Sequence, residues 1–103
     1  MTEANIEQLK QQHGELHELS HAGETVIVKA PNRATWKRFR AQVIDESKRV
    51  VALEELVRSC VVHPEKAELE VMLDRKPGLV ETFGKALGEL AGAGDGQAEK
   101  KAL

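Results

Sequence analysis

The chain has few of the residues from which many functional sites are built. Its 103 residues include one cysteine, one tryptophan, two phenylalanines and no tyrosine. The single Cys60 excludes an intrachain disulfide, and three aromatic side chains are too few for the stacking platforms that bind single-stranded nucleic acid. No apolar run is long enough to cross a bilayer, and no N-terminal segment resembles a secretory signal. We therefore expect a soluble protein of a reducing, cytoplasmic compartment.

Motifs that carry chemistry are also missing. No nucleophile–base signature surrounds Cys60, and no glycine-rich loop precedes a helix, as a phosphate cradle requires. His13, His17 and His21 are four residues apart and would share one face of a continuous helix, but no cysteine or carboxylate pair completes a tetrahedral metal site. We therefore predict no enzymatic activity, no cofactor and no metal site.

Proline is scarce as well, and its three positions are informative. Pro31, Pro64 and Pro77 each precede an apolar run at helical spacing. Proline suits the first turn of a helix, where its missing N–H has no partner to lose, and it disrupts a helix further in. The three prolines therefore predict three helix starts.

The pattern as a whole predicts a mostly helical α+β domain. A short helix over 3–13 ends at Gly14, and a β-hairpin at about 15–30 turns at His21–Glu24. A rival interpretation continues the first helix to Ser20. About four short helices in a compact bundle follow, over 32–47, over 48–62, from Pro64 and from Pro77. Residues 1–91 form this single domain, and the Gly-, Ala- and Lys-rich segment 92–103 is predicted to be a disordered, flexible tail.

Two apolar stripes are predicted to face the core of the bundle. The first, on the helix over 32–47, consists of Trp36, Phe39, Val43 and Ile44. The second, on the helix over 48–62, runs from Val50 to Val61.

The stretch 32–49 is locally basic, with most of its cations on the helix that carries Trp36. A basic helix can follow phosphates, so a small DNA-binding or regulatory protein is one alternative. The next helix, however, carries Glu54 and Glu55 and few side chains suited to reading bases. We therefore favour a solvated face or a patch for an acidic protein partner, and we do not expect nucleic-acid binding.

The order of these features resembles a known family. The run from Ile6 to Gly14 precedes the strand pair, and the segments from Val26 to Phe39, from Leu53 to Pro64 and from Pro77 to Leu79 follow. Over residues 5–92 this order and spacing resemble the small tail assembly chaperones of long-tailed bacteriophages and prophages. The resemblance implies a non-enzymatic protein that binds and solubilises the tape measure protein during tail morphogenesis.

The resemblance also implies partners and a location. The tape measure protein is the expected partner, the tail tube protein is a further candidate, and self-association is expected. The protein would act in the host bacterial cytoplasm, away from membranes, and would be absent from the mature virion. A structural tail component that remains in the particle is another alternative. As partner-binding residues we predict Arg33, Trp36, Lys37, Arg40, Phe83 and Leu87.

Overall fold

The β-hairpin predicted at about 15–30 is present in the computed structural model, which describes residues 3–93 and 99–103. Strand β1 (Leu16–His21) pairs with β2 (Glu24–Lys29) in antiparallel register, from Leu16 opposite Lys29 to His21 opposite Glu24. Ala22 and Gly23 form the two-residue turn with φ values of 53° and 79°. Two positive φ values in a two-residue loop match the right-handed twist of the strands. The strand interpretation of 15–20 is therefore correct, and the rival helix is not.

Helices surround this hairpin in the predicted order. A first helix, α1, precedes it, and four follow it, as expected for a mostly helical α+β fold. The described residues also contain a single 3₁₀ turn at Glu46–Lys48 and a short strand that the sequence analysis did not predict. The elements are α1 (Glu3–His13), α2 (Arg33–Val43), α3 (Arg49–Cys60), strand β3 (Val61–His63), α4 (Lys66–Arg75) and α5 (Leu79–Leu90).

The three prolines mark helix starts, but each lies two residues before the first helical residue, outside the predicted first turn. The helix N-caps are Asn32, Glu65 and Gly78, so each proline directly precedes a cap and does not occupy the first turn. Proline disfavours helical backbone in the residue before it, so at this position it separates a helix from the preceding element. Asn32 provides a side-chain cap, since its Oδ1 accepts a hydrogen bond from the Thr35 N–H at 2.8 Å.

The predicted helix over 32–47 is shorter than expected. It ends at Val43, and the Asp45 side chain accepts a hydrogen bond from the Ser47 N–H at 3.0 Å, which favours the following 3₁₀ turn. Two residues assigned to inward stripes face solvent, one directly after the end of α2 and one in the first turn of α3. Ile44 is 80% exposed and Val50 is 63% exposed. Their assignment to the core was wrong.

The segment 92–103 differs in part from the predicted disordered tail. Residues 99–102 form a fourth strand, β4 (Glu99–Ala102), that pairs antiparallel with β1, and the Leu103 N–H donates to the Leu16 carbonyl at 3.1 Å. The partner is a strand edge that only the folded hairpin provides, so local composition did not indicate it. The part of this prediction that falls on residues 94–98 lies outside the described residues.

The four strands form one antiparallel sheet in the order β3-β2-β1-β4. One face of the hairpin contributes Leu19, Val26 and Val28 to the main core, where they meet apolar residues of α3, α4 and α5. Leu16 and Ile27 alternate with them, so they belong to the opposite face, and both are also buried. The central strands are therefore covered on both faces.

The main core is aliphatic with one aromatic ring at its centre. Phe83 is fully buried and is the largest of the fully buried side chains. Helix α5 contributes more buried residues than any other described helix: Leu79, Val80, Phe83, Gly84, Ala86, Leu87 and Gly88. Helix α2 has no buried residue and packs beside α3 at the edge of the domain.

Candidate functional site

An apolar groove lies between α5 on one side and the α2–α3 pair on the other. Its walls are Trp36, Phe39 and Leu53, and α5 provides Gly84 and Gly88. Glu81, Lys85 and Ala93 complete its lining, and its volume is about 500 Å³. This volume falls within the range of about 300–1,000 Å³ that is typical of ligand sites.

Two glycines one helical turn apart let the walls approach α5. A methyl group built on Gly84 would lie 2.1 Å from Leu53 Cδ2, which is far inside van der Waals contact. A methyl group on Gly88 would lie 3.6 Å from Trp36 Cη2, an ordinary contact distance. Leu53 therefore rests on the backbone of α5 at Gly84, and the Trp36 ring lies over Gly88. The floor of the groove is largely backbone and has little side-chain bulk.

The aromatic wall belongs to α2. The Trp36 and Phe39 rings are 5.1 Å apart between centroids and tilted by 34°. Both residues are half-buried and pack against the main core from outside. Half-exposed aromatic rings beside a small-residue floor are a common composition for the centre of a protein interface.

Three cations flank the aromatic wall. Arg33 and Arg40 lie one turn before and one turn after Trp36, and Lys37 follows it directly. All three are exposed, and in the part of the chain that the structure describes none of them makes an ion pair. Arg38 instead lines a separate polar depression against α3, with Glu55 and Arg58. Helix α2 therefore divides its cations between the groove and the α3 side.

The predicted partner-binding residues separate into two groups. Trp36 lines the groove, and Arg33, Lys37 and Arg40 lie beside it. Phe83 and Leu87 were wrongly assigned, because both are 0% exposed and belong to the core.

Seven residues of the groove lining were not among the predicted partner-binding residues: Phe39, Leu53, Glu81, Gly84, Lys85, Gly88 and Ala93. Phe39 and Leu53 had been placed in the two stripes that were predicted to face the core. The spacing of Gly84 and Gly88 within an amphipathic helix was the available signal, since small residues four apart permit close approach of a neighbouring helix.

Ion pairs elsewhere on the surface connect elements of the fold. The Arg58 guanidinium donates two hydrogen bonds to the Glu70 carboxylate and one to Glu54, which joins α3 to α4. The hydrogen bonds with Arg58 lower the pKa of Glu70. Arg75 pairs with Glu24 at 2.8 Å and joins α4 to the hairpin. These contacts have a structural role.

The remaining reactive side chains are dispersed. His13 ends α1, whereas His17 and His21 lie on β1. Across residues 3–93 and 99–103, no three His, Cys, Asp or Glu side chains are grouped in a way that could hold a metal ion. Cys60 is buried in the core, and burial raises the pKa of its thiol to about 11. No helix in the described part of the chain is long and apolar enough to span a membrane.

A second groove of about 510 Å³ lies between α4 and the β2–β3 edge. Its lining includes Thr25, His63 and Val71, together with the charged side chains of Glu68 and Arg75. It has no aromatic wall. The α2–α3–α5 groove is therefore the stronger candidate for a binding site.

Comparison with known proteins identifies the family. The model of a family described as "Domain of unknown function (DUF6848)" matches residues 9–100. The chain belongs to this family. The DUF6848 match extends over the hairpin, the groove helices and part of β4, so the groove lies entirely within the family domain.

The same architecture occurs in a solved structure. An uncharacterised protein of Bacillus stearothermophilus superposes with a TM-score of 0.76 and is 27% identical in sequence. The match covers 92% of this chain and 99% of that one. No curated protein sequence matches the chain.

Proposed function

We propose that this DUF6848 domain is a tail assembly chaperone that binds and solubilises the tape measure protein during phage tail morphogenesis. The observation that carries the proposal is the apolar groove walled by Trp36, Phe39 and Leu53. A groove with an aromatic wall and a glycine floor suits the apolar stripe of an α-helix, which inserts side chains spaced three and four residues apart. The resemblance of the element order to tail assembly chaperones agrees with this chemistry.

The mechanism follows from mass action. A very long helical protein exposes apolar stripes that aggregate when they are not covered. Small domains that bind the folded helix but not its aggregates stabilise it in proportion to their free concentration. Each domain can bind weakly, because many copies bound along one polymer together give a high overall avidity. Self-association of neighbouring copies would increase this avidity further. The chaperone acts in the host bacterial cytoplasm and leaves before the virion is complete, when tail tube subunits replace it.

The test is co-expression with the protein encoded by the next large reading frame, which the proposal requires to be a very long helical protein. We expect the wild-type domain to co-purify with the long helical protein and to keep that protein soluble. The Trp36→Ala variant should lose most of the co-purification and most of the solubilising effect. Arg38→Gln is the matched control, because Arg38 lies on the same helix but faces α3. If the long protein is equally insoluble with and without the domain, the chaperone proposal is wrong.

A second candidate function rests on the unpaired cations of α2. Four basic residues on an eleven-residue helix that has no acidic residue could follow a phosphate backbone. A gel shift at low salt tests this DNA-binding function, and lack of a shift there would exclude it. Detection of the protein in purified particles would favour the remaining alternative, a structural tail component.

A further inference from the structure

We propose that the occupant of the groove is an acidic amphipathic helix, whose apolar stripe is flanked by Asp or Glu on the side that faces α2. This inference deepens the proposed helix-binding function and rests on it. It states the chemistry of the partner that the groove selects. The inference is based on the charged side chains around the groove.

Positive charge is concentrated on α2 in a chain that is otherwise acidic, and three of the four α2 cations lie on the groove side. Helix α2 contains Arg33, Lys37, Arg38 and Arg40 and no Asp or Glu, a formal charge of +4. The whole chain carries −2, so the remaining residues sum to −6. An acidic partner is therefore attracted to α2 and repelled by the rest of the surface. Such complementarity sets both the orientation and the choice of partner.

The positions of these cations relative to Trp36 link the charge to the groove. At 100° per residue, Arg40, Arg33 and Lys37 lie about 40°, 60° and 100° around α2 from Trp36, all on one side. Phe39 lies about 60° around on the other side, toward α3. A helix seated against the Trp36 ring therefore has these three cations along one flank.

The opposite wall is less strongly charged. Helix α5 contributes Glu81 and Lys85 to the groove lining, and the formal charges of these two side chains sum to zero. The partner's acidic flank is therefore expected on the α2 side alone. The α5 side of the groove runs from Glu81 to Gly88, about 10 Å at 1.5 Å per residue, which corresponds to about two turns of the partner helix.

The expected preference is moderate. One exposed ion pair changes affinity by about 1.5- to 5-fold. Three cations along one flank therefore predict a preference of about tenfold for an acidic over an uncharged helix at low salt. The preference should decrease with added salt, because the screening length falls from about 10 Å at 0.1 M to about 3 Å at 1 M.

The experiment measures binding of three designed helical peptides to the intact protein. The peptides share one apolar stripe, lack tryptophan, and carry Glu, Gln or Lys at the positions flanking the stripe. Trp36 is the protein's single tryptophan and forms a groove wall, so its fluorescence reports occupancy of this site. We expect the Glu peptide to bind about tenfold more tightly than the Gln peptide, and the Lys peptide to bind most weakly.

Variants locate the preference on α2. Arg33→Gln/Lys37→Gln/Arg40→Gln should abolish the advantage of the Glu peptide and leave affinity for the Gln peptide within about twofold. Lys37→Gln should reduce the advantage by about 1.5- to 5-fold. Arg38→Gln is the matched control, since it removes the adjacent cation that faces α3, and it should change the advantage less than Lys37→Gln does. All of these side chains are exposed, so the variants are expected to fold.

The possible outcomes distinguish failure of the acidic-partner inference from failure of the helix-binding function. Equal binding of the Glu and Gln peptides overturns the acidic-partner inference and leaves the helix-binding function standing. If no peptide changes the Trp36 fluorescence, the groove does not bind helices, and the proposed function fails with the inference. Tighter binding of duplex DNA than of the Glu peptide, lost in the triple variant, overturns the inference in favour of the nucleic-acid alternative.

Discussion

Replacing Gly84 with alanine tests how closely α5 approaches α3. The added Cβ would lie 2.1 Å from Leu53 Cδ2, whereas ordinary contact begins at 3.4 Å. Leu53 or the helix must therefore move by about 1.3 Å, the difference between these two distances. The Leu53 side chain is half-buried at the edge of the groove, so the open space available to it is the groove itself.

Two opposing terms determine the effect on stability. Alanine is more favourable than glycine within a helix by about 1 kcal/mol, whereas overpacking a core costs about 1–3 kcal/mol. We therefore expect Gly84→Ala to lower the free energy of unfolding by about 0–2 kcal/mol. Gly88→Ala is the matched control on the same helix, since its Cβ would meet nothing closer than 3.6 Å. It should gain most of the 1 kcal/mol helix term.

Urea denaturation followed by far-UV circular dichroism measures both variants. We expect Gly84→Ala to be about 1–3 kcal/mol less stable than Gly88→Ala, because only the first incurs the overpacking cost. It should also weaken peptide binding, because the displaced Leu53 side chain occupies the groove. If Gly84→Ala proves at least as stable as Gly88→Ala, the close contact between α3 and α5 inferred here is refuted.

Three further predictions concern the core and the surface ion pairs. Phe83→Ala should lower the free energy of unfolding by about 3–5 kcal/mol, measured by urea denaturation, and a loss below 1 kcal/mol would contradict its place in the core. Cys60 should react with iodoacetamide at about pH 8 only when the protein is unfolded, because a thiol with a pKa of about 11 is almost entirely protonated at that pH. Equal reaction rates with and without urea would contradict the burial of the Cys60 thiol. Glu70→Gln should lower the melting temperature near neutral pH, and the difference from wild type should disappear in acid, because Arg58 lowers the pKa of Glu70 and the pair's contribution is lost as pH falls through that lowered pKa. Glu68→Gln is the control on the same helix: Glu68 makes no ion pair with the described residues, so this variant should lack the acid-dependent difference expected of Glu70→Gln.

Local signals predicted the order of the elements well. The Ala22-Gly23 turn, the β-branched run from Val26 to Val28 and the three prolines each act over a few residues, so the hairpin and the starts of α2, α4 and α5 could be predicted from sequence. The end of α2 was harder to predict, because it depends on the Asp45 side chain and no glycine or proline marks it. Strand β4 depends on pairing with β1, a contact between residues about 80 positions apart, and local composition carries no signal for it.

The candidate site was predicted only in part for the same reason. Trp36 and its neighbouring cations were named from the sequence as partner-binding residues, although Trp36 was also placed on a stripe that was predicted to face the core. Whether an apolar residue of an amphipathic helix belongs to the core or to a binding surface depends on what packs against it. Phe83 and Leu87 were assigned to the binding surface although they are buried in the core, and Phe39 and Leu53 were assigned to the core although they line the groove.

The amino-acid sequence by itself determined the fold class, the helix starts and the charge of α2, because backbone preference and ionisation belong to individual residues and their near neighbours. Only the tertiary structure decided that Trp36 faces an open groove, that Gly84 and Gly88 form its floor and that Phe83 belongs to the core. These properties arise where α2, α3 and α5 meet. They depend on distances between residues far apart in the chain, which the spacing of residues within one helix does not specify.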